Sequence, residues 1–226
     1  MKPAWDDVNA RARGLGTRLL GRARLSRLRS ASSLNELVTE LEREGYPLVP
    51  RGGSPTAFEL ERSIRRNAQQ HLAILARWCG ARSRFLRFVF EDEDRRSLRA
   101  LLRGAVEGVS WERRLSGLVP TPSLGERALE ELSRLSSPSE IAATLTAWGS
   151  PYGESMRATA SKTPVDLFAL DLRVNRVFAA RAMSGVRCRG RELREIARET
   201  IDLENALAAI VLSRHASGVE PEICFI

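Results

Sequence analysis

Two stretches of this chain, about 105 residues apart, repeat one arrangement of polar caps, apolar positions and glycine stops. Ser33-Leu34-Asn35-Glu36-Leu37 is followed by Leu41 and Gly45, and Pro138-Ser139-Glu140-Ile141 by Leu145 and Gly149. Glu36 with Glu140, Leu37 with Ile141, Leu41 with Leu145 and Gly45 with Gly149 all keep one offset. Each block runs into an acidic-apolar helix start, Phe58-Glu59-Leu60-Glu61 or Val165-Asp166-Leu167-Phe168. Each unit ends on a helix led by acids, Glu91 to Arg103 and Glu199 to Leu212. A recurrence of that length is one helical module used twice, which points to an architectural protein rather than a pocket enzyme. The landmarks predict that residues 30–108 superpose on 136–216 about an axis lining a concave face.

No stretch sustains period-two alternation, so the expected fold is all-α. Asp6 or Asp7 can cap a first helix reaching about Leu28, basic on one side and carrying Leu15, Leu19, Leu20, Leu25 and Leu28 on the other. Ser32 or Ser33 opens a second helix with Glu36 in its first turn, close to a capping box. Pro47, Pro50, Gly52, Gly53 and Pro55 form the clearest loop. A helix from about Thr56 to Cys79 then offers Phe58, Ile64, Leu72, Leu75 and Trp78 as core, and another runs from about Ser83 to Gly108. Gly117, Pro120 and Pro122 mark off the second copy, giving units 1–116 and 117–226. That copy has helices near 123–135, 138–148, 164–184 and 190–215, with a turn at Gly149-Ser150-Pro151-Tyr152-Gly153.

A net charge of +8 raises nucleic acid, an acidic protein or anionic lipid as partners. An Arg-rich chain with solvated helix faces has the same composition, so charge alone does not choose. The longest apolar runs fall well short of the roughly 20 residues needed to span a bilayer, and the N-terminus has no signal-like apolar core. Three scattered cysteines, Cys79, Cys188 and Cys224, fit a reducing compartment better than a disulfide framework. The expected location is cytoplasmic.

Chemistry is hard to assemble. His71 and His215 lie in different repeats without a second ligand at metal spacing. Cys188, flanked by Arg187 and Arg189, has no histidine nearby to serve as base. Gly14-Leu15-Gly16 and Gly52-Gly53-Ser54 follow no strand and lack the Lys-Ser/Thr ending of a phosphate loop. Glu91, Asp92, Glu93 and Asp94 are read as a helix start answering the dipole, with Glu199 and Asp202 as their counterparts. No catalytic, cofactor-binding or metal-ligating residue is expected.

Four segments carry a resemblance. Val8-Asn9-Ala10-Arg11-Ala12-Arg13-Gly14-Leu15, then Arg18-Leu19-Leu20, resembles an Asn-Ala-Arg block before a Leu-Leu pair. Ser150-Pro151-Tyr152-Gly153 resembles a Thr-Pro-Tyr-Gly turn, and Glu199 to Ile210 and Leu98 to Gly104 resemble two copies of one helix. In this order they are similar to the C subunit of archaeal and bacterial V/A-type ATPases, called subunit d in eukaryotic V-ATPases. The resemblance implies tandem helical bundles forming a funnel-like or curved body without an active site or cofactor. That body would seat the central shaft on the membrane rotor ring, peripheral to the cytoplasmic face, with shaft and ring subunits as partners. Family members have three such units and this chain shows two, so the resemblance implies a short or truncated member. Ile201, Leu207, Ile210, Val211 and Leu212, with Ile223, Phe225 and Ile226 in the tail, then predict an apolar edge that wants a partner. The competing reading is a basic helical module that binds nucleic acid or an acidic protein.

Overall fold

The computed structural model describes residues 5–46, 56–186, 191–215 and Ile226, with only the backbone described over 211–215. The loop expected over Pro47–Pro55, Cys188 and Cys224, and the tail residues Ile223 and Phe225 lie outside the described residues. So do the side chains of Val211, Leu212 and His215.

The fold is all-α: eleven α-helices and no strand among the described residues. In order they are α1 Asp6–Gly16, α2 Arg22–Arg29, α3 Leu34–Arg43, α4 Ala57–Cys79, α5 Arg87–Val106 and α6 Trp111–Ser116. There follow α7 Glu126–Arg134, α8 Pro138–Ala147, α9 Pro151–Ala160, α10 Leu167–Val186 and α11 Arg191–His215.

Sequence repetition becomes local structure in α3 and α8. Ser33 Oγ accepts the backbone N–H of Glu36 at 3.2 Å, and Ser137 Oγ accepts that of Glu140 at 3.2 Å. Glu36 Oε2 in turn accepts from the N–H and hydroxyl of Ser32, both at 2.7 Å, while Glu140 Oε2 accepts from those of Ser136 at 2.8 and 2.9 Å. These bonds hold both carboxyls below their ordinary value, the Ser32 and Ser136 hydroxyls contributing most. Both helices also stop alike. Gly45 and Gly149 take φ of 83° and 70°, which only glycine adopts freely. The next N–H folds back, Tyr46 to Leu41 O at 3.0 Å and Ser150 to Leu145 O at 2.8 Å, closing the paired return bonds of a Schellman end. Leu41 and Leu145 are both buried beneath it. Ser33→Ala and Ser137→Ala should therefore each cost about 1 kcal/mol, the usual worth of an N-cap hydroxyl. Urea melts of the two single variants check this, and a cost at one site only would mean that the two caps are not equivalent.

Three elements depart from the sequence reading. The first helix is broken at Thr17–Gly21: Thr17 Oγ1 donates to Gly14 O at 2.8 Å, and extended Gly21 restarts the chain as the N-cap of α2. Interior glycines cost about 1 kcal/mol each relative to Ala, and Gly14, Gly16 and Gly21 fall together at this point. The segment expected as a turn after Gly149 is instead α9, which Pro151 opens at a position where a missing N–H costs nothing. On α4, Phe58 and Ile64 are exposed rather than core, while Leu60 and Cys79 are buried.

The chain forms two compact units, residues 1–83 with 117–122, and 84–116 with 123–226. In the first, α1 packs on α4 and α2 on α3. Arg82 ties the end of α4 to α1 through Asp7 at 2.9 and 3.1 Å, with its guanidinium 5.1 Å from the Trp5 ring centre. In the second, α10 packs against α5, α9 and α11, and α8 against α9 and α5. Residues 84–116, which close the first repeat in sequence, thus fold with the second. The cause is α5, buried on several sides at once: Phe88, Phe90, Leu98, Leu101 and Leu102 share its buried surface with Glu91, Asp94 and Arg95. A helix of that kind needs neighbours all round, and α10 is its main one.

Candidate functional site

The second unit is organised by charge as well as by oil. Arg95 has no exposed side-chain surface. Its guanidinium reaches Asp92 one turn back at 2.5 and 3.1 Å, Asn175 Oδ1 on α10 at 3.1 Å and Glu204 on α11 at 2.9 Å. Its carbon lies 4.8 Å from the Phe178 ring centre, a cation–π distance. Two further arginines follow at spacing four on the same helix. Arg99 bridges Glu204 and Asp171, both at 3.3 Å, and Arg103 meets Asp171 at 3.2 Å. The row binds α5 to α10 and α11 by bonds that all involve charged partners, the stronger kind.

Burial alone would depress the Arg95 guanidinium, but the bond to Glu204 and the charges of Asp92 and Glu204 outweigh it and hold it above its ordinary value. Burial likewise would raise Glu204, yet the Arg95 hydrogen bond and the charges of Arg95 and Arg99 leave it lowered. Both groups are ionised at neutral pH. This is a permanent lattice, not a titrating pair.

A second cluster lies further toward the start of α5. Glu91 Oε1 accepts from Arg87 at 2.7 Å and from Arg181 of α10 at 2.5 and 3.0 Å. Asp94 accepts from the Ser123 hydroxyl. Beside them is a cavity of about 190 Å³ bounded by Glu91, Asp94, Ser123, Trp148, Tyr152 and Arg181 among others. The Tyr152 hydroxyl is buried without a protein hydrogen-bond partner. Burial first, then the nearby Glu91 and Asp94, push its pKa upward, so it stays an O–H donor through the physiological range.

These positions correct the reading of the acidic run. α5 begins at Arg87 and has no acid in its first turn, so Glu91–Asp94 begin a turn too late to answer the helix dipole. Asp92 is a counter-ion of buried Arg95, Glu91 one of Arg87 and Arg181, and Asp94 an acceptor for the Ser123 hydroxyl. Glu199 and Asp202 sit exposed in mid-α11 and do not match them; Glu204 is the acid of α11 that enters the lattice. The signal for this was present in the i, i+4, i+8 row Arg95, Arg99, Arg103 inside a leucine-rich helix. A solvated face does not interleave arginines with Leu98, Leu101 and Leu102 that are fully buried.

The other candidates stay apart. His71 is half-buried on α4 of the first unit, and Gly14-Leu15-Gly16 is the last turn of α1 rather than a loop. Cys79 is buried, which pushes its thiol up and away from thiolate chemistry. Among the described residues, no three His, Cys, Asp or Glu side chains gather as metal ligands. The segments that carried the resemblance in the second unit lie on three of its helices. Leu98–Gly104 lies on α5, Tyr152 and Gly153 open α9, and Glu204 and Asn205 lie on α11. The sequence model of a family described as ATP synthase (C/AC39) subunit matches residues 8–224. No curated protein matches the chain.

Proposed function

The chain belongs to the ATP synthase C/AC39 subunit family, and from that membership we propose that it is a non-catalytic coupling subunit of a V/A-type rotary ATPase. In this reading it seats the central shaft on the membrane rotor ring, on the cytoplasmic face, and carries torque without an active site of its own. The observation that carries the reading is the family match across nearly the whole chain. Two features support it. No helix among the described residues is long and apolar enough to cross a membrane, as a peripheral seat requires. The ionic row along α5 cross-links three helices of the second unit, and a body that transmits torque must resist helix sliding.

Co-expression tests the proposal. The chain is produced with the shaft and ring subunits of the same genome's rotary ATPase, and the assembly is isolated through a tag on the shaft. Stoichiometric recovery of the chain, and loss of ATP-driven ion pumping when it is omitted, are the expected results. A shaft and ring that assemble and pump equally well without it would overturn the role.

A further inference from the structure

The chain's excess charge is not spread evenly. Residues 8–31 hold seven arginines and no acid; setting those seven aside leaves 29 basic residues against 28 acids. With Asp6 and Asp7 in the first turn of α1 counted against them, α1, the turn at Thr17–Gly21 and α2 still carry +5 of the chain's +8. All seven arginines are exposed. Arg24 pairs with Glu44 at 2.8 Å and Arg11 lies 5.4 Å from the Trp78 ring centre. Arg13, Arg18, Arg22, Arg27 and Arg29 meet no acid among the described residues. Five unneutralised guanidiniums within 17 residues of sequence repel one another, an arrangement stabilised by an anionic surface outside the chain.

Two leucines stand out of the same segment. Leu19, in the turn, is 64% exposed, and Leu25, on α2, is 52% exposed. By helical spacing Leu25 shares a face with Arg22 and Arg29. No residue of α2 is buried, and Leu25 stands out from it as Leu19 does from the turn.

We propose that the α1–α2 segment is an interfacial docking surface for an anionic lipid bilayer, with its arginines on the headgroups and Leu19 and Leu25 entering the acyl boundary. Basic residues draw a segment to anionic lipid while exposed apolar side chains insert beneath the headgroups, and this segment has both. Nucleic acid fits it less well. Residues 8–31 contain no aromatic side chain on which a base could stack, and leucines have no role on a phosphate backbone. The inference rests on the exposed segment and stands apart from the rotary assignment, which would survive its failure.

The test is co-sedimentation of the full chain with vesicles of phosphatidylcholine alone or with about 30 mol% phosphatidylserine at low salt. Binding to the anionic vesicles only is expected, weakening as salt rises. Arg18→Gln/Arg22→Gln/Arg27→Gln should reduce partitioning about 100-fold, near fivefold per arginine. Leu19→Ser/Leu25→Ser, which keeps the charge, should reduce it about tenfold or more. All five positions are exposed, and an unchanged melting temperature shows that each variant folds. Absence of binding to anionic vesicles overturns the proposal. So does binding indifferent to the leucine pair together with equally tight, salt-sensitive binding to random duplex DNA, which would make the segment a general polyanion site. Binding only to an acidic partner protein, with vesicles ignored, overturns it as well.

Discussion

Replacing Arg95 with Met should destabilise the chain by about 3 kcal/mol, because it takes the shared cation from partly buried Asp92 and Glu204 and leaves them only Arg96 and Arg99. The methionine fills much of the space and keeps contact with Phe178, so the loss isolates charge rather than volume. A urea melt measures it. Adding Glu204→Leu should recover a good part of the loss, since replacing a whole buried pair by apolar groups is far cheaper than breaking one. Acid has a related effect. The folded pKa of Glu204 lies below its ordinary 4.5, so its contribution is fully present above that value and is lost as pH falls through the lowered one. The wild-type urea midpoint should decline across that window, and Glu204→Gln should start lower at neutral pH and decline less. A midpoint unchanged by Arg95→Met would mean that the lattice adds nothing to stability.

Gly153→Ala should also be severe, at about 3 kcal/mol, through overpacking. A Cβ at this position would lie 2.6 Å from Thr146 Oγ1 and 2.7 Å from the Leu145 carbonyl carbon, and closer still to Thr146 N. Two of these atoms are backbone, so no rotamer change relieves the clash; α9 must move off α8. Alanine is ordinarily the better helix former by about 1 kcal/mol. At an exposed site such as Gly185, where a Cβ would meet nothing, that preference should win and Gly185→Ala should stabilise slightly. Thermal melts of the two variants, moving in opposite directions, separate contact from propensity.

Fold class and caps were readable because their causes are local. Ser33 with Glu36, Ser137 with Glu140, and the glycine stops at Gly45 and Gly149 act within a few residues of sequence. Helix α9 was hidden by its composition: Ser150, Pro151 and Gly153 all read as turn residues. Yet Pro151 starts a helix and Gly153 is there for close packing. The lattice was hidden because its pairs are distant. Arg95 and Glu204 are 109 residues apart, and nothing near either one announces the other. A spacing of four puts Arg95, Arg99 and Arg103 on one face, but only the packing of α5 on α10 makes the Arg95 end of it an interior one. Phe58 and Ile64 failed in the opposite sense. They have the right periodicity for core, but the first unit buries little of α4.

The row on α5 also fixes registration. Two helices meeting through leucines alone can slip by a turn, about 5.4 Å, and find a comparable set of contacts. Arg95 has no such second home. Its guanidinium draws partners from α5 itself, α10 and α11, and Glu204 serves Arg99 as well. Sliding α11 by one turn would strip Glu204 from both arginines, leaving Arg95 with Asp92 and Arg99 with Asp171 but the Glu204 carboxylate without either of its cations. The unit can therefore rotate or tilt as a block but has no neighbouring notch into which one helix can drop. A force applied along α11 reaches α5 and α10 as displacement rather than being dissipated as slippage.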